Sequence, residues 1–304
     1  MSELELPSLL LESVQDDDDD DLIARGFATV GRRTWIEHLP GIIDELSARW
    51  SLTVGRPFQP GGVASWVAKA RNDNGDHLVL KVGWRHEEAL HDADALRVWN
   101  GNGAVRLVDS VTTTDSCALL IEECDPGTAL SAALPPLQRD EVIAELLQRL
   151  WIEPAAPHPF RPLSSMCDLW ADEFDLKLQD APSYELDPGI TAAGIELLRT
   201  LPSTADRHVL LCTDLHAENV LAAAREPWLA IDPKPYLGDP AYDPIQYLLD
   251  ASDRLTADPE SFVGRMAALL DLDRDRLRLW LFARCVQESL DSPELIAVAE
   301  QLAP

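Results

Sequence analysis

Three polar residues lie close together in one short part of the chain, between residues 210 and 235. Asp214 and Asn219 have the spacing D-x-x-x-x-N, and Asp232 follows them. Kinases use this spacing to place a base at the aspartate and a metal ligand at the asparagine. The spacing alone is a weak signal, because a chain rich in aspartate produces chance matches.

The residues between Asn219 and Asp232 predict how these two side chains meet. Two apolar segments, VLAAA and WLAI, flank a turn at Pro227, which is the pattern of an antiparallel hairpin. A hairpin returns the chain to its starting point, so Asn219 and Asp232 would lie side by side. An amide oxygen and a carboxylate suit Mg²⁺, which completes its shell with water and substrate phosphates. We expect Asp214 to face an acceptor hydroxyl while the other two residues hold magnesium on ATP.

These motifs carry a family resemblance. The run DLHAEN at 214–219, followed by IDPKPYLGDPAYD at 231–243, resembles the aminoglycoside phosphotransferase family, in particular its streptomycin and hydroxyurea kinase branch. The resemblance is sharp over 208–250 and weak over about 24–290. It implies a protein-kinase-like fold of two lobes, with ATP in the cleft between them.

The resemblance also implies a nucleotide-binding lysine in the first half of the chain. Kinases carry this lysine on a strand after the hairpin that covers the nucleotide, and Lys81 ends the apolar run HLVLKV. The partner of the lysine on the following helix is normally glutamate. The matching position here is Asp92, and Glu88, one turn earlier on the same face, is the alternative.

Two further parts of the first half correspond to nucleotide contacts in the family. The loop containing Gly61, Gly62 and Ser65 would lie over the phosphates, its glycines allowing close approach of the backbone. The connector between the lobes, with Glu122 and Cys124, would offer backbone groups to adenine. Side chains in the connector would matter little.

The catalytic roles follow from the chemistry of phosphoryl transfer, in which positioning and electrostatics contribute more than covalent chemistry. Asp214 would orient the acceptor hydroxyl and accept its proton. Lys234 would neutralise charge near the γ-phosphate, and packing of its aliphatic stem is the alternative role. Thr213 stands where most relatives have glycine, so the loop geometry is expected to differ. Asp239 and Asp243 would anchor the loop and the next helix, with Asp243 as the N-cap of that helix.

The order of secondary-structure signals predicts an α+β protein. Strand patterns, an Asn-Gly turn and one helix occupy the first half, and 3.6-residue apolar periodicity fills the second. The expected fold is protein-kinase-like, with a small antiparallel-sheet N-lobe carrying one helix and a larger, mainly helical C-lobe. The expected divisions are an acidic, mobile N-terminal segment at 1–23, the N-lobe at 24–121, a hinge at 122–128 and the C-lobe at 129–304.

Composition limits the partners and the compartment. The 304 residues carry a formal net charge of −28, which repels nucleic acid and attracts a cationic small molecule. The run Asp16 to Asp21 is expected to be a solvated stretch. No apolar run is long enough to span a membrane, and five scattered cysteines without a C-x-x-C pair indicate reduced thiols. We therefore expect a cytoplasmic protein with no membrane partner, whose oligomeric state stays open.

The acceptor site is expected on the helical lobe, where carboxylates would recognise amines or guanidinium groups. The candidates are Asp168, Asp172, Glu173 and Glu288. The function predicted is ATP- and Mg²⁺-dependent phosphoryl transfer to a small-molecule hydroxyl, on an aminoglycoside such as streptomycin. Hydroxyurea or a metabolite alcohol is the alternative acceptor, and a non-catalytic nucleotide-binding scaffold is the alternative class. The preference for ATP over GTP is left open.

Overall fold

The chain divides into two structural units. The computed structural model describes residues 4–14 and 19–304, apart from the side chains of Asp20, Asp21 and Glu88. The first unit contains Met1–Gly127 together with Ala223–Arg225, and the second contains Thr128–Ala222 and Glu226–Pro304. The first boundary lies inside the connector expected at 122–128. Asp16, Asp17 and Asp18 of the predicted solvated run lie outside the described residues.

The first unit is built on an antiparallel sheet of five strands in the order β1-β2-β3-β5-β4. The strands are β1 (Leu52–Pro57), β2 (Ser65–Asn72), β3 (His77–Trp84), β4 (Leu107–Thr112) and β5 (Ser116–Glu122). Its helices are α1 (Ser8–Ser13), α2 (Asp19–Ala24), α3 (Arg32–Trp50) and α4 (Asp92–Trp99). The predicted Asn-Gly hairpin is confirmed, because β2 pairs with β3 and Gly75 at its turn has a φ of 85°.

The core of the first unit includes residues that the sequence pattern did not assign. Trp35 and Leu39 of α3 pack with Trp66 and Trp84 of the sheet, and each is buried. Leu10 of α1 joins the same cluster and is completely buried. The segment expected to be mobile therefore contains a core residue, because its apolar run LPSLLLE precedes the aspartates.

The second unit is mainly helical, as predicted. Its helices are α5 (Leu130–Ala133), α6 (Pro136–Leu150), α7 (Leu163–Gln179), α8 (Pro188–Thr200), α9 (Ile245–Asp250), α10 (Ser252–Ala257), α11 (Pro259–Leu270), α12 (Arg274–Glu288) and α13 (Leu295–Leu302). Its strands are β6 (Arg161–Pro162), β7 (Val209–Leu211), β8 (Val220–Ala222), β9 (Trp228–Ala230) and β10 (Tyr236–Gly238). Within the described part of the chain, no helix is both long and apolar enough to cross a membrane.

Local signals in the sequence fix where helix α8 begins. The Asp187 carboxylate accepts from the backbone N–H groups of Gly189 and Ile190 at the start of α8, and Pro188 occupies the first helical position. Helix α8 then packs closely on α12, where a β-carbon added to Gly194 would lie 2.5 Å from a methyl of Val286. A glycine at this position therefore permits the close contact of the two helices.

A buried ion cluster joins four helices of the second unit. Asp140 of α6 is completely buried, and its carboxylate accepts from Arg254, Arg265 and Tyr247 at 2.5–2.9 Å. Burial alone would raise the pKa of Asp140, but the hydrogen bonds from Arg254, Tyr247 and Arg265 outweigh it and lower the pKa. The cluster therefore ties α6 to α9, α10 and α11 through one carboxylate.

We expect Asp140→Ala to lower the free energy of unfolding of the second unit by about 3 to 5 kcal/mol, because it leaves two arginines without their carboxylate. Urea unfolding followed by circular dichroism measures this loss. Because the folded pKa lies below the unfolded one, the difference from the wild type should be full above about pH 4 and shrink on acidification. The exposed Glu141→Ala is the control, and an equal loss in both variants would contradict the assignment.

Candidate active site

The predicted hairpin is confirmed and brings Asn219 and Asp232 together. Strands β8 and β9 are antiparallel, with Val220 opposite Ala230, and the Ile231 N–H donates to the Asn219 carbonyl at 2.9 Å. Asp232 is the next residue, at a φ of 52°. The two side chains therefore start from neighbouring positions at the open end of the hairpin.

The chemistry of this donor set fits magnesium. The Asn219 amide nitrogen donates to the Asp214 carbonyl at 3.0 Å, which leaves the amide oxygen as the acceptor on the other side. That oxygen and the Asp232 carboxylate form a set of two, the small number of protein ligands that Mg²⁺ uses beside phosphates. Among the residues described, no group of three or more His, Cys, Asp or Glu side chains is arranged to hold a metal ion.

Asp214 lies at the centre of a small charge cluster. Burial raises the pKa of its carboxyl, the charge of Lys234 and the neighbouring His216 oppose that rise, and the charge of Asp232 adds to it. The ammonium of Lys234 lies 3.4 Å from the carboxylate, and the Asp214 side chain is 19% exposed. The cluster thus holds a partly desolvated carboxylate beside a cation, which suits a group that must accept a proton.

The backbone before Asp214 is strained, and the strain is compensated. Thr213 has a φ of 52°, the left-handed region that glycine adopts without penalty and that costs other residues about 1 to 2 kcal/mol. Its hydroxyl donates to the Lys234 carbonyl, and the Lys234 N–H donates to the Cys212 carbonyl at 2.9 Å. Threonine therefore adopts a backbone conformation that favours glycine, and its hydroxyl adds a bond to the second half of the site.

Asp243 holds the same loop through its side chain, and its predicted role as the N-cap of α9 is wrong. Its buried carboxylate accepts from the backbone N–H groups of Thr213 at 2.7 Å and Cys212 at 3.2 Å, and from the Trp151 indole at 2.9 Å. Helix α9 has Pro244 at its N-cap position, without a side-chain bond. Burial raises the pKa of Asp243 to about 6. The predicted anchoring of the loop is confirmed.

Asp239 connects the site to the helical core. Its carboxylate accepts from the Ala241 N–H at 2.9 Å and, through its other oxygen, from Arg276 and Trp280 of α12, both at 2.6 Å. The GDPAYD run therefore places the Asp243 carboxylate against the loop at 212–213 and the Asp239 carboxylate against α12. Sequence reasoning missed Trp151, Arg276 and Trp280 as partners, because nothing in their spacing links them to the loop.

In the first unit, Lys81 of β3 forms an ion pair with Asp92. The ammonium and the carboxylate are 3.1 Å apart, and their side chains are only 14% and 8% exposed. Asp92 is the first residue of α4, where a negative charge is stabilised by the helix dipole. The pair fixes the direction of the lysine from the strand. The side chain of Glu88, the alternative partner, lies outside the described residues.

The glycine loop has a neighbour that the sequence did not predict. Gly61 has a φ of 78°, and a β-carbon at this position would lie 2.3 Å from the β-carbon of Pro7. A β-carbon on Gly62 would lie 3.2 Å from the Ser65 hydroxyl. The missing side chain of Gly61 therefore makes room for the N-terminal segment, a contact distinct from the predicted approach to phosphates.

The Glu122 side chain of the connector has a structural role that the sequence did not predict. Its carboxylate accepts from the Arg106 N–H at 2.7 Å and from the Arg225 guanidinium at 2.6 and 3.1 Å. Arg225 also donates to the carbonyls of Gly101 and Ala104. Cys124 is buried, and burial raises the pKa of its thiol to about 11, so the thiol stays protonated at neutral pH.

The four predicted acceptor carboxylates differ in their surroundings. Asp168 and Asp172 are exposed on α7, and Asp172 pairs with Arg199 at 2.8 Å. Glu173 is half-buried. Glu288 of α12 accepts from Arg284 at 2.5 Å, and its side chain is 32% exposed. A buried arginine therefore holds Glu288 in place, whereas Asp168 and Asp172 lie at the surface.

The fold and the site define a kinase-like phosphotransferase. The family model for the aminoglycoside/hydroxyurea antibiotic resistance kinases matches residues 49–291. The streptomycin 6-kinase of Streptomyces griseus is 33% identical over 89% of this chain and 91% of its own length. The hydroxyurea phosphotransferase of Kitasatospora aureofaciens is 35% identical over 85% of this chain and 74% of its own.

A solved structure supports the same fold. The aminoglycoside phosphotransferase of Streptomyces rimosus, determined with ADP and streptomycin, aligns with a TM-score of 0.52 at 18% identity. The alignment covers 86% of this chain and 98% of that one. The chain belongs to the aminoglycoside/hydroxyurea antibiotic resistance kinase family. The predicted family, fold class and enzyme class are confirmed, and membership of a kinase family implies a nucleotide as phosphate donor.

We expect Asp243→Asn to lower the phosphate-transfer rate at least about tenfold, because the amide nitrogen that replaces one carboxylate oxygen cannot accept from the N–H donors facing that oxygen. Steady-state kinetics measure this loss, with the exposed Asp253→Asn as control.

The raised pKa sets the sign of a second effect: the stability contributed by the Asp243 proton is full below about pH 4 and lost as the pH rises through 6. The free energy of unfolding, measured at several pH values, should lose this pH dependence in the variant. An unchanged phosphate-transfer rate would contradict the anchoring role.

Proposed function

We propose that the chain transfers the γ-phosphoryl group of ATP, with magnesium, to a hydroxyl of streptomycin or a related aminoglycoside. The observation that carries the proposal is the register of the β8–β9 hairpin, which sets Asn219 beside Asp232. The Asn219 amide also donates to the Asp214 carbonyl. The same arrangement supplies a metal-ligand pair and a neighbouring base. A phosphoryl transferase requires both.

The roles proposed for the second unit follow from its geometry. Asn219 and Asp232 would hold Mg²⁺, which when bound neutralises charge on the phosphates. Asp214 would orient the acceptor hydroxyl and take its proton as the new P–O bond forms. Lys234, paired with Asp214 at 3.4 Å, would stand near the developing charge of the transferred group. This assignment favours kinase chemistry over a scaffold, because Asn219, Asp214 and Lys234 are already positioned by a hydrogen bond or an ion pair.

The roles proposed for the first unit concern the nucleotide. Lys81, oriented by Asp92, would bind the α- and β-phosphates, as the strand lysine does in kinases. The backbone at Gly61, Gly62 and Ser65 would cover the phosphates. Backbone groups at Glu122 and Cys124 would contact adenine. The reduced thiols and the need for ATP fit a cytoplasmic enzyme.

A cationic acceptor is favoured by charge. The formal net charge of −28 draws polycations to the protein, and it lowers the affinity of polyanions at long range. The relative from Streptomyces griseus is a streptomycin 6-kinase. The relative from Kitasatospora aureofaciens is a hydroxyurea phosphotransferase, so the small neutral hydroxyurea is the second candidate acceptor.

The first test is phosphate transfer by purified protein with ATP and Mg²⁺, offered streptomycin, other aminoglycosides and hydroxyurea separately. We expect Asp214→Asn to lose about a hundredfold or more in kcat, because the amide cannot take the hydroxyl proton. Asp275→Asn, an exposed aspartate of α12 outside the site, is the matched control. Wild-type transfer to none of these acceptors would refute the proposal, and equal rates in Asp214→Asn would refute the base.

The second test concerns the acceptor. Glu288 is proposed to bind a cationic group, because the buried Arg284 holds its carboxylate in one orientation. We expect Glu288→Gln to raise the KM for streptomycin roughly tenfold or more, the effect of losing a hydrogen bond to a charged group. The KM for ATP should stay the same, and the exposed Glu300→Gln is the control. A parallel rise in the KM for ATP, or a fall in thermal stability without a change in acceptor KM, would contradict the role.

A further inference from the structure

The N-terminal segment at residues 4–13, which we call the N-terminal strap, lies along the turn between β1 and β2. That turn, residues 58–64, we call the glycine turn. Both belong to the first unit. Hydrogen bonds from both ends of the strap reach the glycine turn.

Hydrogen bonds join the backbone of the strap to two consecutive residues of the turn, Gln59 and Pro60. The Leu9 N–H donates to the Pro60 carbonyl at 3.2 Å. The Gln59 side chain accepts from the Ser8 N–H at 3.1 Å and donates to the Leu6 carbonyl at 3.3 Å. The strap thus satisfies polar groups on the first half of the glycine turn.

Ser13 holds the second half of the turn. Its hydroxyl lies 2.8 Å from the Val63 carbonyl and 2.9 Å from the Leu10 carbonyl, and the residue is buried. One hydroxyl hydrogen therefore serves two carbonyls, one in the strap and one in the glycine turn. A buried serine in this position links the two segments directly.

Gly61 makes the two segments complementary in shape. Its φ of 78° is one that side chains rarely adopt, and Pro7 occupies the space that a β-carbon would need, at 2.3 Å. Leu10 anchors the strap in the tryptophan cluster of the first unit, where it is completely buried. The strap is therefore held independently of the turn that it braces.

We propose that the N-terminal strap is a positioning element for the nucleotide, in which Pro7 and Ser13 fix the glycine turn in the conformation that covers the phosphates. The inference rests on the proposed function of that turn. Bracing removes conformational freedom from the turn before the nucleotide binds, so less entropy is lost on binding. The strap would then act on the affinity for ATP, with the acceptor site unaffected.

The first experiment compares Ser13→Ala with Ser8→Ala. Ser8 is exposed and contacts the turn through its backbone N–H, which alanine keeps, so it is a matched control. We expect Ser13→Ala to raise the KM for ATP roughly fivefold, the effect of one hydrogen bond, with the KM for the acceptor unchanged. Equal KM values for ATP in the two variants would overturn the proposal.

The second experiment tests the fit of Gly61 against Pro7. Gly61→Ala should raise the KM for ATP at least about tenfold, through the clash and the positive φ. Adding Pro7→Gly removes the clashing atoms and should restore part of the loss. If glycine serves only approach to the phosphates, the second substitution restores nothing and the strap has no role.

Hydrogen exchange separates failure of this inference from failure of the proposed function. Ser13→Ala should increase exchange of the amides at 58–64 in the protein without ligand, and ATP should reduce that exchange in the wild type. A wild type that transfers no phosphate but shows both effects would refute the proposed reaction and keep the strap. No change in exchange at 58–64 would overturn the strap even in an active enzyme.

Discussion

The buried Asp243 carboxylate is the interaction on which the candidate active site depends. It accepts from the consecutive backbone N–H groups of Cys212 and Thr213 and from Trp151, so it sets the loop conformation before Asp214. Thr213 can then adopt a left-handed φ, and its hydroxyl reaches the Lys234 carbonyl. The residues before Asp214 and, through Thr213, the backbone of Lys234 are thus linked to one buried carboxylate, whose raised pKa reflects its desolvation.

Local chemistry explains what could be predicted from sequence. The hairpin that joins Asn219 to Asp232 was predictable because two short apolar segments around a turn have few other ways to fold. The Asn-Gly turn at 74–75 and the periodic helices of the second unit were predictable for the same reason. Family resemblance added Lys81 and Asp92, whose ion pair spans a strand and a helix and has no local signature.

Tertiary partners explain what could not be predicted. An aspartate before a proline is a good N-cap, but the Asp243 carboxylate accepts instead from Cys212 and Thr213, which follow β7, the strand paired with β10. The carboxylate of Glu122 depends on Arg225, far along the chain. In the N-terminal segment, the prediction of a mobile stretch followed from the aspartate run and not from the three leucines before it. The core position of Leu10 was therefore missed.

Charge distribution gives the site a further constraint. The sequence has four lysines against a formal net charge of −28, and a nucleotide carries negative charge into this field. Lys69 and Lys177 pair with carboxylates at the surface, with side chains 59% and 57% exposed. Lys81 is 14% exposed, so its charge is screened less by water and salt than theirs. The side chain of Lys234 is 40% exposed, between these extremes, and lies beside the partly buried Asp214. In a protein so acidic, attraction of a polyanion has to come from such local cations, because the long-range field opposes it.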